Sequence, residues 1–171
     1  MFIEIPLHHA DPARLLAASD SSGAPDNSVD QGDLFALARE VTIERTNPDG
    51  LHPTPGYHHL TKVHADTLIY LAGQCPLDPS GVLAEGGLAG QTAQVIDNIL
   101  IALAAAGATP EDVVRTVIYV NSADRSDLAG VWAQLSESPL APAFTSASTL
   151  LGVAQLGFPG QLVEIDVTVA L

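Results

Sequence analysis

The run Leu162-Val-Glu-Ile-Asp166 sets two carboxylates among apolar neighbours, and it is where this chain is best placed for acid–base chemistry. Desolvation beside Leu162, Val163 and Ile165 would raise the Glu164 pKa toward the range useful to a general acid or base. Asp166 lies two residues along, hence on the same side of a strand. Were both carboxylates to face one cleft, their repulsion would push one pKa higher still. The alternative places Glu164 at a solvated edge or in a hydrogen bond between subunits, because perturbed carboxylates also serve structure. Tyr57, after Pro55-Gly56, offers a ring for stacking and a phenol for hydrogen bonding, although many strand tyrosines only pack. Gly73-Gln74, closing an apolar run, combines close backbone approach with an amide, or else is a purely structural strand end.

Other chemistries find little support. His58 and His59 are adjacent in an expected strand and would point to opposite faces. His58 and His64 would share a face but stand about 20 Å apart, at roughly 3.3 Å per residue. With no His-Glu-x-x-His and no paired-cysteine spacing, no metal is expected. Cys75 is the single cysteine; it excludes an internal disulfide, fits a reducing cytosol, and reads more readily as an inert thiol than as a nucleophile. A Gly-x-Ser-x-Gly elbow is missing, as is any glycine-rich nucleotide loop, so no cofactor is expected. The formal charge is −14 with only six Lys and Arg, which disfavours nucleic acid as a partner. No stretch looks like a membrane span and the start of the chain lacks a secretory signal, so a cytoplasmic protein is expected.

Residues 1–40 read as a partly ordered N-terminal extension, because Ser19 to Ser28 is polar and turn-forming. Two pieces of it are candidates to dock, extended Phe2-Ile-Glu-Ile-Pro6 and helical Asp33 to Arg39. A domain over residues 41–171 follows. Strands are expected at Val41–Arg45, Tyr57–His64 and Thr67–Ala72, the last buried on both faces because its apolar run is continuous. Leu88, Val95, Ile99 and Leu103, widened by Ile96 and Leu100, predict a helix from Leu88 to Ala106 that Gly107 ends. Thr109-Pro-Glu-Asp112 starts a single turn. The strand Val113–Val120 follows, then a helix over Asp124–Ser136 that sets Leu128, Val131, Trp132 and Leu135 on one face. Strands near Phe144–Leu150 and Leu162–Ala170 complete a β-β-β-α-β-α-β-β order. The class is α+β, with two helices on one face of a mixed sheet.

Tyr70-Leu-Ala-Gly-Gln74, the helix with Gln91, Asp97 and Asn98, the Gly107 stop, Arg115-Thr-Val-Ile-Tyr-Val120 and Leu162 to Asp166 come in an order that resembles the Rid family, also called YjgF or L-PSP-like. Catalytic members hydrolyse reactive enamines and imines. The resemblance implies a chorismate-mutase-like fold and a barrel-shaped homotrimer with small-molecule ligands in clefts between subunits. It implies that Glu164 orients the hydrolytic water and that Tyr57, Gly73 and Gln74 line the cleft. Ala72 stands where the family has a hydroxyl, and Pro-Gly-Tyr replaces Gly-Pro-Tyr. The family's carboxylate-gripping arginine is missing: the alignment puts Ser148 there, or Phe144 in a shifted register, and no Arg or Lys follows Arg125. Neither residue makes a bidentate pair with a carboxylate. The backbone N–H groups of Thr149 and Leu150 remain candidates to hold a carbonyl oxygen. Two functions stay open, a deaminase retuned to uncharged imines and a non-enzymatic ligand-binding or regulatory trimer.

Overall fold

Strict alternation writes the central strands, because a strand with one buried face repeats every second residue. A computed structural model describes residues 41–171. The two docking candidates expected within residues 1–40 lie outside the described residues. The elements run β1 (Thr42–Thr46), β2 (Leu60–His64), β3 (Leu68–Tyr70), α1 (Gly87–Ala105), β4 (Val113–Val120), α2 (Arg125–Ser136), β5 (Ala147–Gly152) and β6 (Val163–Ala170), with single 3-10 turns at Pro110–Asp112 and Ala141–Thr145. This is the expected order. A four-stranded mixed sheet has the order β3-β6-β4-β5, in which only β4 and β5 are parallel, and β1 pairs with β2 in a separate ribbon.

Val163, Ile165, Val167 and Val169 of β6 turn to the core with Thr116, Ile118 and Val120 of β4. They meet Val95, Ile99 and Leu103 of α1 and Val131 and Leu135 of α2, so both helices cover the same face. Local chemistry ends each helix where the sequence predicts. Gly107 takes φ +71°, and the N–H groups of Gly107 and Ala108 donate to Ala104 and Leu103 at 3.1 and 2.9 Å, a Schellman close. Asp124 caps α2 by accepting from the Ser126 N–H at 2.8 Å, which holds its carboxyl below the usual carboxylate range.

Four expectations are corrected. The second strand starts at Leu60, so residues 57–59 belong to the loop from β1, and the opposite-face argument for His58 and His59 does not apply. That loop is held instead by side-chain bonds: His58 to the Thr145 carbonyl at 2.6 Å, and His59 to the His52 carbonyl at 2.9 Å. The third strand is not buried on both faces. It is short and lies at a sheet edge, leaving Leu68 and Tyr70 51 % and 73 % exposed. Phe144 and Thr145, expected to open a strand, belong instead to the 3-10 turn Ala141–Thr145, and β5 begins only at Ala147. Finally, α1 is long and apolar enough to cross a membrane by length and composition. Its apolar stripe is instead packed, with Val95 and Ile99 fully buried in the core.

The opposite face of the sheet is left uncovered by the described residues. It carries Arg115, Val117 and Tyr119 from β4, Glu164, Asp166 and Thr168 from β6, and Tyr70 from β3, all partly or largely exposed.

Candidate functional site

The candidate residues fall into two groups, one in a cleft between β5 and α2 and one on the uncovered face of the sheet. In the first, β5 and α2 wall a cleft of about 620 Å³. Ser148, Thr149 and Leu150 supply one side, Arg125, Leu128, Ala129 and Trp132 the other, and Pro55 and Tyr57 of the loop before β2 close an end. The loop is seated by hydrogen bonds, from the Trp132 indole N–H to the Pro55 carbonyl at 3.4 Å and from the Thr54 hydroxyl to the Tyr57 carbonyl. The Tyr57 ring meets Trp132 edge-on at 6.0 Å, and Trp132 meets Phe144 in the same way. Such T-shaped pairs fix ring orientation as well as burying area. The Tyr57 hydroxyl lies 3.4 Å from His52 Nε2.

Ser148 lines this cleft, whereas Phe144 is 2 % exposed within the core. The Ser148 hydroxyl accepts from Thr116 at 2.7 Å and donates to the Ser146 carbonyl at 3.1 Å, so its one donor is already used. Thr149 and Leu150 stand in regular parallel register with Val117 and Ile118. Successive N–H groups of a strand point to opposite edges, so only one of the two faces the free edge of β5. Their expected convergence on one oxygen therefore does not form.

The second group gathers on the uncovered face. Glu164 is only half-buried, because the alternation that buries Val163 and Ile165 turns it away from the core; the expected apolar enclosure is absent. Its carboxylate lies against Gly73, where a Cβ would stand 2.0 Å from Oε1. The absence of a Cβ there leaves room for the carboxylate's close approach. The Gln161 amide, itself fully buried, donates to Glu164 Oε2 at 2.9 Å and to the Val163 carbonyl at 3.1 Å, fixing the carboxylate. Cys75 is close by: burial pushes its thiol up, and the Glu164 charge adds to the rise. Asp166 shares the face as expected, but it is engaged by the Tyr119 hydroxyl at 3.0 Å, a bond that raises the Tyr119 pKa.

Gln74 extends the β3–β6 pairing, since its N–H and carbonyl both bond Ile165, while its amide turns back to the Ala72 carbonyl at 2.8 Å. Two helix residues of the sequence pattern, Asn98 and Gln91, have framework duties, while Asp97 is exposed. Asn98 donates to the carbonyls of Cys75 and Leu77 at 2.9 and 3.0 Å. Gln91 donates to the Gly160 carbonyl and accepts from the Leu162 N–H. These bonds hold the segments bearing Gly73 and Glu164.

Sequence reasoning missed Trp132 as a cleft residue and Gln161 as the Glu164 partner, and it offered Arg125 only beside Lys62 and Arg115 as a cation that a neighbouring subunit could supply. A signal existed for Arg125, a cation in the first turn of a helix whose dipole disfavours it. For Gln161 there was none, since its role depends on the turn at Phe158–Gln161 that aims it back toward β6.

Comparison with known proteins agrees with this fold. The family model described as Endoribonuclease L-PSP matches residues 49–171. A RutC family protein of Pyrococcus abyssi is 36 % identical over 94 residues, which cover 54 % of this chain and 68 % of the relative. The 2-iminobutanoate/2-iminopropanoate deaminase of Bos taurus is 38 % identical over 107 residues, 61 % of this chain and 74 % of the enzyme. Among solved structures, the Rid family protein YyfB of Yersinia pestis superposes with a TM-score of 0.70 at 33 % identity, covering 75 % of this chain and 98 % of that one. With the α+β sheet, its two helices and a family match across the whole described domain but its first strand, the chain belongs to the L-PSP family, the Rid or YjgF proteins.

Proposed function

We propose that this protein hydrolyses small imines or enamines at clefts completed by a neighbouring copy in a homotrimer. The observation that carries the reading is the division of the candidate residues. Tyr57 and Ser148 wall a roomy cleft, while Glu164, Gly73 and Gln74 sit on a sheet face that the described chain does not cover. Among the described residues, the lining of the roomy cleft holds no carboxylate, and the hollow beside Gly73 on the uncovered face is smaller, at about 410 Å³; a second copy against that face would bring cleft and carboxylate together. The similarity to deaminases named for 2-imino acids supports the reaction type. Water held by Glu164 adds to the C=N carbon, and the nitrogen leaves as ammonia with formation of the carbonyl. One backbone N–H on the open edge of β5 remains a candidate to polarise the reacting group.

The rival reading, a ligand-binding trimer without turnover, is favoured by Ser148, whose hydroxyl proton is already donated to the Ser146 carbonyl and whose position carries no cation. The test is hydrolysis of imines generated in situ, carboxylate-bearing and uncharged, followed by release of ammonia. Turnover that Glu164→Gln abolishes, in a variant with wild-type unfolding, supports the hydrolase. Equal turnover in the variant removes Glu164 from the mechanism, and no turnover by the wild type favours the binding protein. The charge of −14 also argues against RNA as the substrate, despite the endoribonuclease in the family's name.

A further inference from the structure

Each lysine or arginine of the described domain except one is engaged. Arg45 donates to the carbonyls of Glu111 and Val113 at 2.6 and 2.9 Å. Lys62 pairs with Glu44 at 3.5 Å, and Arg115 donates to the Thr149 hydroxyl at 3.2 Å. Arg125 lines the cleft between α2 and β5, and among the described residues its guanidinium has no hydrogen bond or ion pair.

The acids beside it do not neutralise it by contact. Asp124 is committed to the Ser126 N–H at 2.8 Å and Asp127 to the Ser122 hydroxyl at 2.6 Å. An unpaired cation in the first turn of a helix opposes the helix dipole, so neither capping nor local pairing accounts for it. Its five donors in a planar fork suit a carboxylate. Around it the cleft is apolar and aromatic, with Tyr57, Leu128, Trp132 and Leu150.

We propose that Arg125, reaching into the cleft from α2, holds the carboxylate of the ligand and takes over a task that Ser148 on β5 cannot perform. The ligand is then a small carboxylate with a flat or branched apolar body that packs against Trp132 and Leu128. This inference rests on the cleft being the ligand site of the proposed hydrolase, and it deepens that reading by naming the charge of the substrate. It also reverses the expectation, drawn from the missing strand arginine, that uncharged imines are preferred.

Trp132 is the single tryptophan of the chain, so its fluorescence reports this cleft directly. The probes are 3-phenylpropanoate and its neutral amide, titrated against the full-length chain with excitation selective for tryptophan. The acid should bind at least about tenfold tighter than the amide, the scale of one charge-assisted hydrogen bond. In Arg125→Ala the acid should fall to the affinity of the amide, and Arg125→Lys should restore part of the difference. Because the protein as a whole is strongly anionic, its global field cannot produce a preference for the acid. Equal affinities in the wild type, a preference that survives Arg125→Ala, or no saturable change with the acid would each overturn the proposal. Equal affinities together with wild-type turnover of uncharged imines remove Arg125 and leave the hydrolase. Saturable, Arg125-dependent binding of the acid without turnover of any imine keeps Arg125 and removes the hydrolase.

Discussion

Replacing Gly73 by alanine separates the stability of the fold from the placement of Glu164. A Cβ at this position would lie 2.0 Å from Glu164 Oε1 and 2.9 Å from Cδ. Ordinary contact needs about 3.5 Å, so the oxygen must retreat by roughly 1.5 Å. Gly73 is outside the left-handed region, so alanine brings no backbone strain. What moves is the end of a flexible side chain, and what breaks is its 2.9 Å bond from Gln161. A hydrogen bond to a charged group contributes about 1.5–3 kcal/mol, but the half-exposed carboxylate regains water, leaving about 1 kcal/mol. Gln161 keeps the Val163 carbonyl as a partner, so it is not orphaned. Lower unfolded-state entropy returns about 0.4–1 kcal/mol. The net loss in urea unfolding is therefore expected below about 1.5 kcal/mol. Turnover should fall about 100-fold, the consequence of misplacing a group by about 1 Å. A stability loss above about 3 kcal/mol would show that backbone, not side chain, absorbs the clash. Turnover within about twofold of wild type would sever the position of Glu164 from the chemistry.

Asn98→Ala removes two bonds to the carbonyls of Cys75 and Leu77 and the bond accepted from Gln94, and should cost about 2–3 kcal/mol in urea unfolding; a change under about 0.5 kcal/mol would refute its role as the clamp of that loop. Cys75 should alkylate slowly near neutral pH, because burial first and Glu164 second raise its pKa and so shrink the thiolate fraction at any given pH. Its rate profile is displaced to higher pH relative to a free thiol, and Glu164→Gln should move it back downward; an unmoved profile would show that the Glu164 charge does not reach the thiol.

How much the chain disclosed before its structure depends on whether the information is local. Alternation in Val113–Val120 and Leu162–Ala170, the stripe through Val95, Ile99 and Leu103, the Gly107 stop and the Asp124 cap are local signals, and the elements follow them closely. The third strand misled because a continuous apolar run cannot distinguish burial on two faces from an edge strand with an open face. The 3-10 turn ending at Thr145 and the loop ending at His59 moved two strand starts for reasons of hydrogen bonding that composition reports only faintly. The site was harder still. Tyr57 and Ser148 were legible as candidates, yet their meeting with Arg125 and Trp132 depends on how α2 crosses β5. The Glu164–Gly73 contact likewise joins residues 91 positions apart, and nothing in either segment announces the other.

The position of β6 has a consequence for how the chain is made. It follows every other described strand in sequence, yet in space it lies between β3 and β4. As the ribosome delivers the chain, β3 and β4 emerge with no ladder partner between them, and the helices have only part of a surface to cover. Insertion of β6 supplies antiparallel neighbours to both at once. Pairings of such long sequence separation form slowly, because loop closure precedes any gain from contact. Until then the edges of β3 and β4 are open templates for another nascent chain. Chaperone occupancy and aggregation during synthesis should therefore concentrate in the interval between release of β4 and release of β6.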